Sequence, residues 1–314
     1  MPAFGLFQAD PAMSAVTLPS ASGLPIAAVE RETGIPKDLL RMWERRYGFP
    51  QPQRDTAGDR QYSPQEVAKL KLISRLLDLG FRPGKLVRLE MAALQALTES
   101  HTPKLEVPAN CSRLVAVLQG HVAAEARAYL RHQLLELGLR RFILEFLPAA
   151  NRLVGDAWLR GELQVYEEHL YSEEITRVIR ESLTAVPAGR QTPRVMLTTC
   201  PGEQHVLGLL MVEALLRLQG CDTIAFGAQM PLGDIVQAAT KHTVDVVVLS
   251  FSPSYQGDVA ADLAQIAAQL PLSAQLWVGG GGCRQLHGLP SRVCHVRELS
   301  DLDALVAGWL AASS

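Results

Sequence analysis

The sequence predicts a multidomain chain of α and α/β class: a winged helix-turn-helix head, a four-helix bundle and a Rossmann/flavodoxin-like parallel sheet domain. Three observations predict it. Two short helical patterns around a glycine turn lead into a stretch rich in proline and arginine. An unbroken helical texture fills the middle of the chain. After Arg194, short apolar runs alternate with helical segments, as in a parallel sheet covered on both faces.

The elements follow in order. Residues 1–23 are rich in Ala, Ser and Pro, lack periodicity, and read as a disordered extension. The head is expected over 24–99. Residues 26–34 form a first helix ending at Gly34, and Pro36 opens a second over 36–47. Residues 49–62, with Pro50, Pro52 and Gly58, read as a small β-wing. The polar stretch 100–110 is a linker. Residues 111–186 are the bundle, where Leu114, Val117 and Leu118, then Leu130, Leu134, Leu135 and Leu137, fit a helical period. A second linker spans 187–193. The sheet domain, 194–314, has strands expected at 195–199, 223–226, 244–250, 276–278 and 293–296. Helices are expected near 207–219, 232–241, 257–270 and 301–311.

Composition narrows the class. The 314 residues suffice for two or three domains, and 48% hydrophobic with 20% charged residues is ordinary globular usage. No run of 18 apolar residues occurs, and the N-terminus lacks a basic region followed by an apolar core. No membrane span and no secretory signal are expected, so a cytoplasmic protein is. Cys111, Cys200, Cys221, Cys283 and Cys294 form no CxxC pair; free, mostly buried thiols are expected rather than a zinc site. Residues 24–90 hold 13 Lys and Arg against 9 Asp and Glu, whereas the remainder holds 17 against 23. A basic head on an acidic body points to a polyanion met by the head alone.

The second helix offers Lys37, Arg41, Arg45 and Arg46, the earlier residues toward base edges and the later arginines toward phosphates. The wing is expected to present Arg54, Arg60 and Tyr62 to the DNA backbone. The order Leu40–Arg41, Trp43–Glu44–Arg45–Arg46–Tyr47–Gly48, Arg54, Gly58, Arg60 and Tyr62 resembles the head of MerR-type regulators over about fifty residues. The resemblance implies binding of double-stranded promoter DNA as a dimer. Metal-sensing members use cysteines after a long dimerisation helix; no such set stands here, so no metal effector is expected.

In the sheet domain, residues 200–208 read CPGEQHVLG directly after a predicted strand. His205 would stand at the carboxyl edge of the sheet, with Ser250 and Ser252 after the third strand and Gly279–Gly282 after the fourth. Ligands of such sheets bind at that edge. An imidazole can ligate a metal such as cobalt, and Glu203 can accept its other N–H and fix the tautomer. Serines and bare glycines leave room for a long group and permit close backbone approach. The glycine run alone could cradle a phosphate. That reading leaves His205 unused and finds no GxGxxG at the first turn.

Glu203-x-His205-x-x-Gly208, then Ser250-x-Ser252 after 41 residues, then Gly279–Gly280 after 26 more, resembles the cobalamin-binding domain of methionine synthase and related corrinoid proteins. The resemblance implies that His205 is the lower cobalt ligand. It also implies a channel along Gly208, Ser250, Ser252, Gly279 and Gly280 for the displaced dimethylbenzimidazole tail. In the bundle, Trp158 is followed after nine residues by Glu168–His169, with a helix–helix corner between them near Gly161. This pattern resembles the bundle of CarH/LitR-type photoreceptors, and Glu in place of Asp at 203 is that branch's form. It implies that Trp158 caps the upper corrin face against an adenosyl group, with Glu168 and His169 in the same cavity. A plain core role for Trp158 is the alternative.

Head, bundle and corrinoid domain in this order resemble the CarH/LitR type over residues 24–311. The resemblance implies a non-enzymatic regulator: an adenosylcobalamin-bound tetramer that represses a promoter in the dark and falls apart in light. Two positions depart. Leu159 cannot ligate cobalt where photoreceptors can carry a His, and Gln204 stands where an Arg is frequent at a subunit contact. Three rivals stay open: a corrinoid methyl carrier, a cobalamin-independent regulator acting through protein partners, and a haem version using His205 or Cys200.

Overall fold

The structure is a computed structural model. It describes residues 23–78, 81–101, 109–187, 192–253, 255, 257–284, 286, 288–290, 292 and 293–313. The expected extension (apart from residue 23) and most of the two expected linkers lie outside the described residues.

The head opens with β1 (Leu24–Pro25), followed by α1 (Ile26–Thr33) and α2 (Lys37–Tyr47). Both helices stop at glycines in the left-handed region: Gly34 at φ 68° donates to Glu30 O, and Gly48 at φ 70° donates to Glu44 O. Pro36 lies one residue outside the second helix rather than in its first turn. Leu40 and Trp43 bury one side of α2, leaving Arg41, Arg45 and Arg46 exposed on the other. The wing is β2 (Gln53–Arg54) paired antiparallel with β3 (Arg60–Tyr62), and β1 pairs with the far side of β3. Asp55 holds the wing tip, its carboxylate accepting from the N–H groups of Ala57 and Asp59 and from Gln61 Nε2. α3 (Pro64–Asp78) starts with a reciprocal Ser63–Glu66 capping box, and α4 (Pro83–Leu86) and α5 (Met91–His101) complete the head.

The bundle comprises α6 (Leu114–Gln119), α7 (Ala123–Arg141), α8 (Leu147–Leu159) and α9 (Val165–Thr184), with a π-helical turn over Phe142–Phe146 joining α7 to α8. The corner between α8 and α9 turns at Gly161 (φ 74°), and a Gln164–Glu167 capping box starts α9.

The sheet domain runs β4 (Arg194–Thr198), α10 (Leu207–Leu218), β5 (Asp222–Gly227), α11 (Leu232–Lys241), β6 (Val246–Ser250), α12 (Val259–Gln269), β7 (Gln275–Gly279), β8 (Val293–Val296) and α13 (Asp301–Ala312). All neighbouring strands are parallel, in the order β5-β4-β6-β7-β8. Numbered within the domain this is 2-1-3-4-5, the flavodoxin-like order, whose switch point lies between β4 and β6. Alternation of side chains sends Val195, Leu197, Val246, Val248 and Trp277 to one face and Met196, Val247, Leu249, Leu276 and Val278 to the other. The first set joins α10, α13 and the bundle in one continuous core; α11 and α12 cover the second. Arg140 of the bundle pairs with Asp303 of α13, which also accepts from Gln219 Nε2 at 2.9 Å. Cys111, Cys200, Cys221 and Cys283 are free and buried, and Cys294 is free and half-buried.

Candidate functional site

His205 stands in the loop that leaves β4, at the switch point. Thr199 anchors this loop: its hydroxyl donates to Glu203 O at 2.6 Å and accepts from Gln229 N–H at 2.8 Å. Gly202 turns the chain at φ 86°, which a side chain would strain. The Glu203 carboxylate is thereby buried, 1% exposed, and gripped from two loops. One oxygen accepts from His205 Nδ1 at 2.7 Å and from the His205 backbone N–H at 2.9 Å; the other accepts from Ser252 N–H at 2.7 Å. Tyr255 braces the second loop, donating its hydroxyl to Asp262 of α12 at 2.5 Å and meeting Phe251 edge-on.

The electrostatics follow from these contacts. Burial alone would raise the Glu203 pKa, but the His205 ring, the two N–H groups and the Ser252 hydroxyl together bring it down to about 2. The His205 pKa moves up, chiefly through its bond to Glu203, against the opposing effect of burial; the Glu168 carboxylate of α9 adds to the rise. Glu168 therefore lies within electrostatic reach of His205 across the bundle–sheet junction. With Nδ1–H directed to the carboxylate, Nε2 of the neutral ring keeps its lone pair for a ligand. The side chain is 66% exposed on that edge.

The Glu203 pairing also stabilises the fold. A carboxylate whose folded pKa is depressed contributes stability above its unfolded pKa, near 4.5, and loses it as pH falls toward about 2. Glu203→Gln is expected to destabilise the ligand-free protein at pH 7 by roughly 2–3 kcal/mol, shrinking as urea-denaturation curves are repeated below pH 4. A pH-independent difference would show that the charge contributes nothing.

The remaining expected residues are distributed around this edge. Gly208 is exposed at the start of α10, and a Cβ there would lie 3.2 Å from Ser250 Oγ, so the two face each other across a narrow gap. Ser252 Oγ is buried beside the Glu203 carboxylate and helps to lower its pKa. Gly279 and Gly280 behave differently from the expectation of open room. A Cβ on Gly279 would meet Val296 O at 3.0 Å and one on Gly280 would meet Phe251 O at 2.3 Å. Gly279 lets the ends of β7 and β8 approach, and Gly280, itself exposed, lets two loops touch. The strip left for a ligand is the exposed Gly208 with the half-buried Ser250 and Ser252. An exposed imidazole oriented by a buried carboxylate and a gap bounded by a bare glycine fit a corrin with its tail beside the sheet.

In the bundle, Glu168 accepts from Ser172 Oγ at 2.7 Å and lies 2.9 Å from Nδ1 of the exposed His169. Trp158 packs against the bundle core, half-buried, with Lys71 of α3 above its ring. Sequence reasoning missed Lys71, Thr199, Gly202 and Tyr255. A Gly after Pro201 was a visible turn signal; the others act through contacts that no local pattern encodes.

In the head, Arg45, Arg46 and Arg54 are exposed. Lys37 pairs with Glu30 and Arg41 with Asp38 at the surface. Arg54 donates to Gly58 O, and Arg46 lies over the half-buried Tyr47 ring. Two wing expectations need correction. Tyr62 is fully buried in the head core, where β3 turns its side chain inward between α1 and α3, so it cannot meet a DNA backbone. The Arg60 guanidinium is bound to Glu44 of α2 at 2.9 Å, tying wing to helix rather than projecting freely.

A winged helix-turn-helix with exposed arginines, joined through a bundle to a sheet whose ligand edge carries a carboxylate-oriented imidazole, defines a ligand-responsive DNA-binding regulator. The profile of the MerR HTH family regulatory protein matches residues 24–90, and that of the B12 binding domain matches residues 193–290. The chain is 30% identical over 268 residues to the HTH-type transcriptional repressor CarH of Myxococcus xanthus, covering 83% of this chain and 89% of the relative. It is 30% identical over 296 residues to the repressor CarA of the same organism, covering 91% and 96%. A monomethylamine corrinoid protein of Methanosarcina barkeri superposes with a TM-score of 0.49 at 14% identity, over 64% of this chain and 98% of that one. The chain belongs to the family of CarH and CarA, MerR-type transcriptional regulators with a cobalamin-binding domain. It is a transcriptional regulator, as the repressors it matches are. Among the described residues, no helix is long and apolar enough to cross a membrane.

Proposed function

We propose that this regulator is a light-responsive repressor that holds promoter DNA as an oligomer, dimer to tetramer, while adenosylcobalamin is bound, and releases it in light. The Glu203–His205 pair at the switch point carries the ligand half of this reading: it leaves one imidazole nitrogen directed at the edge where a corrin would lie. His205 would hold the cobalt from below, and Glu203 would keep the ring in the right tautomer. Gly208, Ser250 and Ser252, with Gly279 and Gly280 behind them, would line the tail. Trp158, Glu168 and His169 would face the upper side. When bound, the group supplies a cobalt–carbon bond that light cleaves. The chain's own residues supply the coupling. The bundle and one sheet face share a core, so a ligand bridging His205 and Trp158 selects one arrangement of both. Several heads then bind one operator together, and avidity tightens repression.

The test is size-exclusion chromatography with absorbance detection, on protein loaded with adenosylcobalamin in the dark and after green light. A coloured peak that is larger in the dark supports the proposal. A coloured peak whose size ignores light removes the light response, and a colourless peak removes the ligand. For the DNA half, Arg45→Ala and Arg46→Ala are each expected to weaken operator binding several-fold on any sequence and to reduce the log–log salt slope by about one, at unchanged thermal midpoint. Arg60→Ala should chiefly lower stability, by about 0.5–1 kcal/mol, because it loses Glu44. Anisotropy titrations over a salt series, beside thermal melts, separate the two effects; a free-phosphate role for Arg60 would reverse them.

A further inference from the structure

Trp158, near the end of α8, packs against the bundle core and carries the Lys71 ammonium 4.6 Å above its ring centroid. The same ammonium lies 2.9 Å from Glu32 Oε2 on α1. Lys71 is only 15% and Glu32 only 22% exposed. An ammonium over an indole face is held most strongly when it is desolvated, and here the acidic partner keeps its charge satisfied. One side chain thus joins three elements: α3, the first helix of the helix-turn-helix, and the tryptophan of the candidate ligand site.

We infer that Lys71 is a positioning residue of the ligand site, holding Trp158 from the head so that head docking and ligand capping compete for one indole ring. The inference rests on the proposed corrinoid role of Trp158. A ligand that stacks on the ring under Lys71 displaces the ammonium, and Glu32 on α1 then loses its link to the bundle. The head is released from α8 as the site fills. Conversely, the energy of docking is subtracted from ligand affinity, so removing it tightens binding. The coupling needs no rearrangement of the sheet domain and no direct contact between ligand and head, since the shared ring belongs to α8.

The experiment uses the full chain as wild type, Lys71→Met and Lys71→Arg. Met keeps the length of the side chain without its charge; Arg keeps both the charge over the ring and the pair with Glu32. Hydrogen exchange is followed in α1 and α3 without ligand and with adenosylcobalamin in the dark, beside absorbance titrations of affinity. The expected result is faster exchange in both helices of ligand-free Lys71→Met, with Lys71→Arg close to wild type. Adenosylcobalamin should speed the same helices in wild type, and Lys71→Met should bind it several-fold more tightly. Unchanged exchange in ligand-free Lys71→Met overturns the docking contact. Unchanged or weaker affinity overturns the competition. If no variant binds adenosylcobalamin, the corrinoid proposal fails by itself, while the ligand-free comparison still decides whether Lys71 docks the head.

Discussion

His205→Ala is expected to lower cobalamin affinity by at least tenfold to a hundredfold. Loss of a partner that merely orients a metal-bound histidine costs about that much, and the ligand itself cannot matter less. The fold should survive. The ring is 66% exposed and its one side-chain hydrogen bond is to Glu203, whose carboxylate keeps two backbone N–H donors, so a cost of about 1.5–3 kcal/mol is expected from the lost bond. Glu203→Gln should show a smaller loss of affinity than His205→Ala, since it leaves the imidazole in place but unoriented. The measurement is an absorbance titration with the spectrum of the bound corrin, which responds to a ligated imidazole. Wild-type affinity and spectrum in His205→Ala would remove the ligand assignment. The phosphate-cradle reading of the glycines would then regain weight.

How much of this was legible in the sequence depends on the range of the interactions involved. The parallel strands could be read because burial on both faces makes each a short apolar run: Val246–Ser250 and Gln275–Gly279 lie within two residues of expectation at either end. The head helices were legible because Gly34 and Gly48 end them by a local backbone requirement. The two-residue strand β1 was not, since Leu24 and Pro25 become a strand only by pairing with β3. Tyr62 was misread because a tyrosine after an arginine suits either a wet wing or a dry core, and the pairing register decides which. Likewise Arg60 looks free until the wing folds back onto Glu44. At the ligand edge, the spacing of Glu203 and His205 could be read, being a local pattern. Tyr255, Thr199 and Lys71 could not, because each acts on residues of another element.

The glycines of the ligand edge separate fold from function most sharply. Gly280→Ala is expected to destabilise the sheet domain by about 3 kcal/mol or more. Its φ of 102° is strained for any side chain, and the new Cβ would sit 2.3 Å from the carbonyl oxygen of Phe251, backbone that cannot rotate away. That carbonyl is already held by Gly282 N–H at 3.0 Å, and Phe251 N–H by Gly279 O at 3.0 Å, so both loops would have to move together. Gly208→Ala is the counterpart. Gly208 is in the first turn of α10, where alanine is a better helix former by up to about 1 kcal/mol, and its Cβ would meet only the rotatable Ser250 hydroxyl at 3.2 Å. Its thermal midpoint should stay level or rise, while cobalamin affinity falls because the gap beside Ser250 narrows. Equal affinity at equal stability would place the tail elsewhere. A Gly280→Ala protein melting like wild type would mean that the two loops are not packed as tightly as their backbone contacts require.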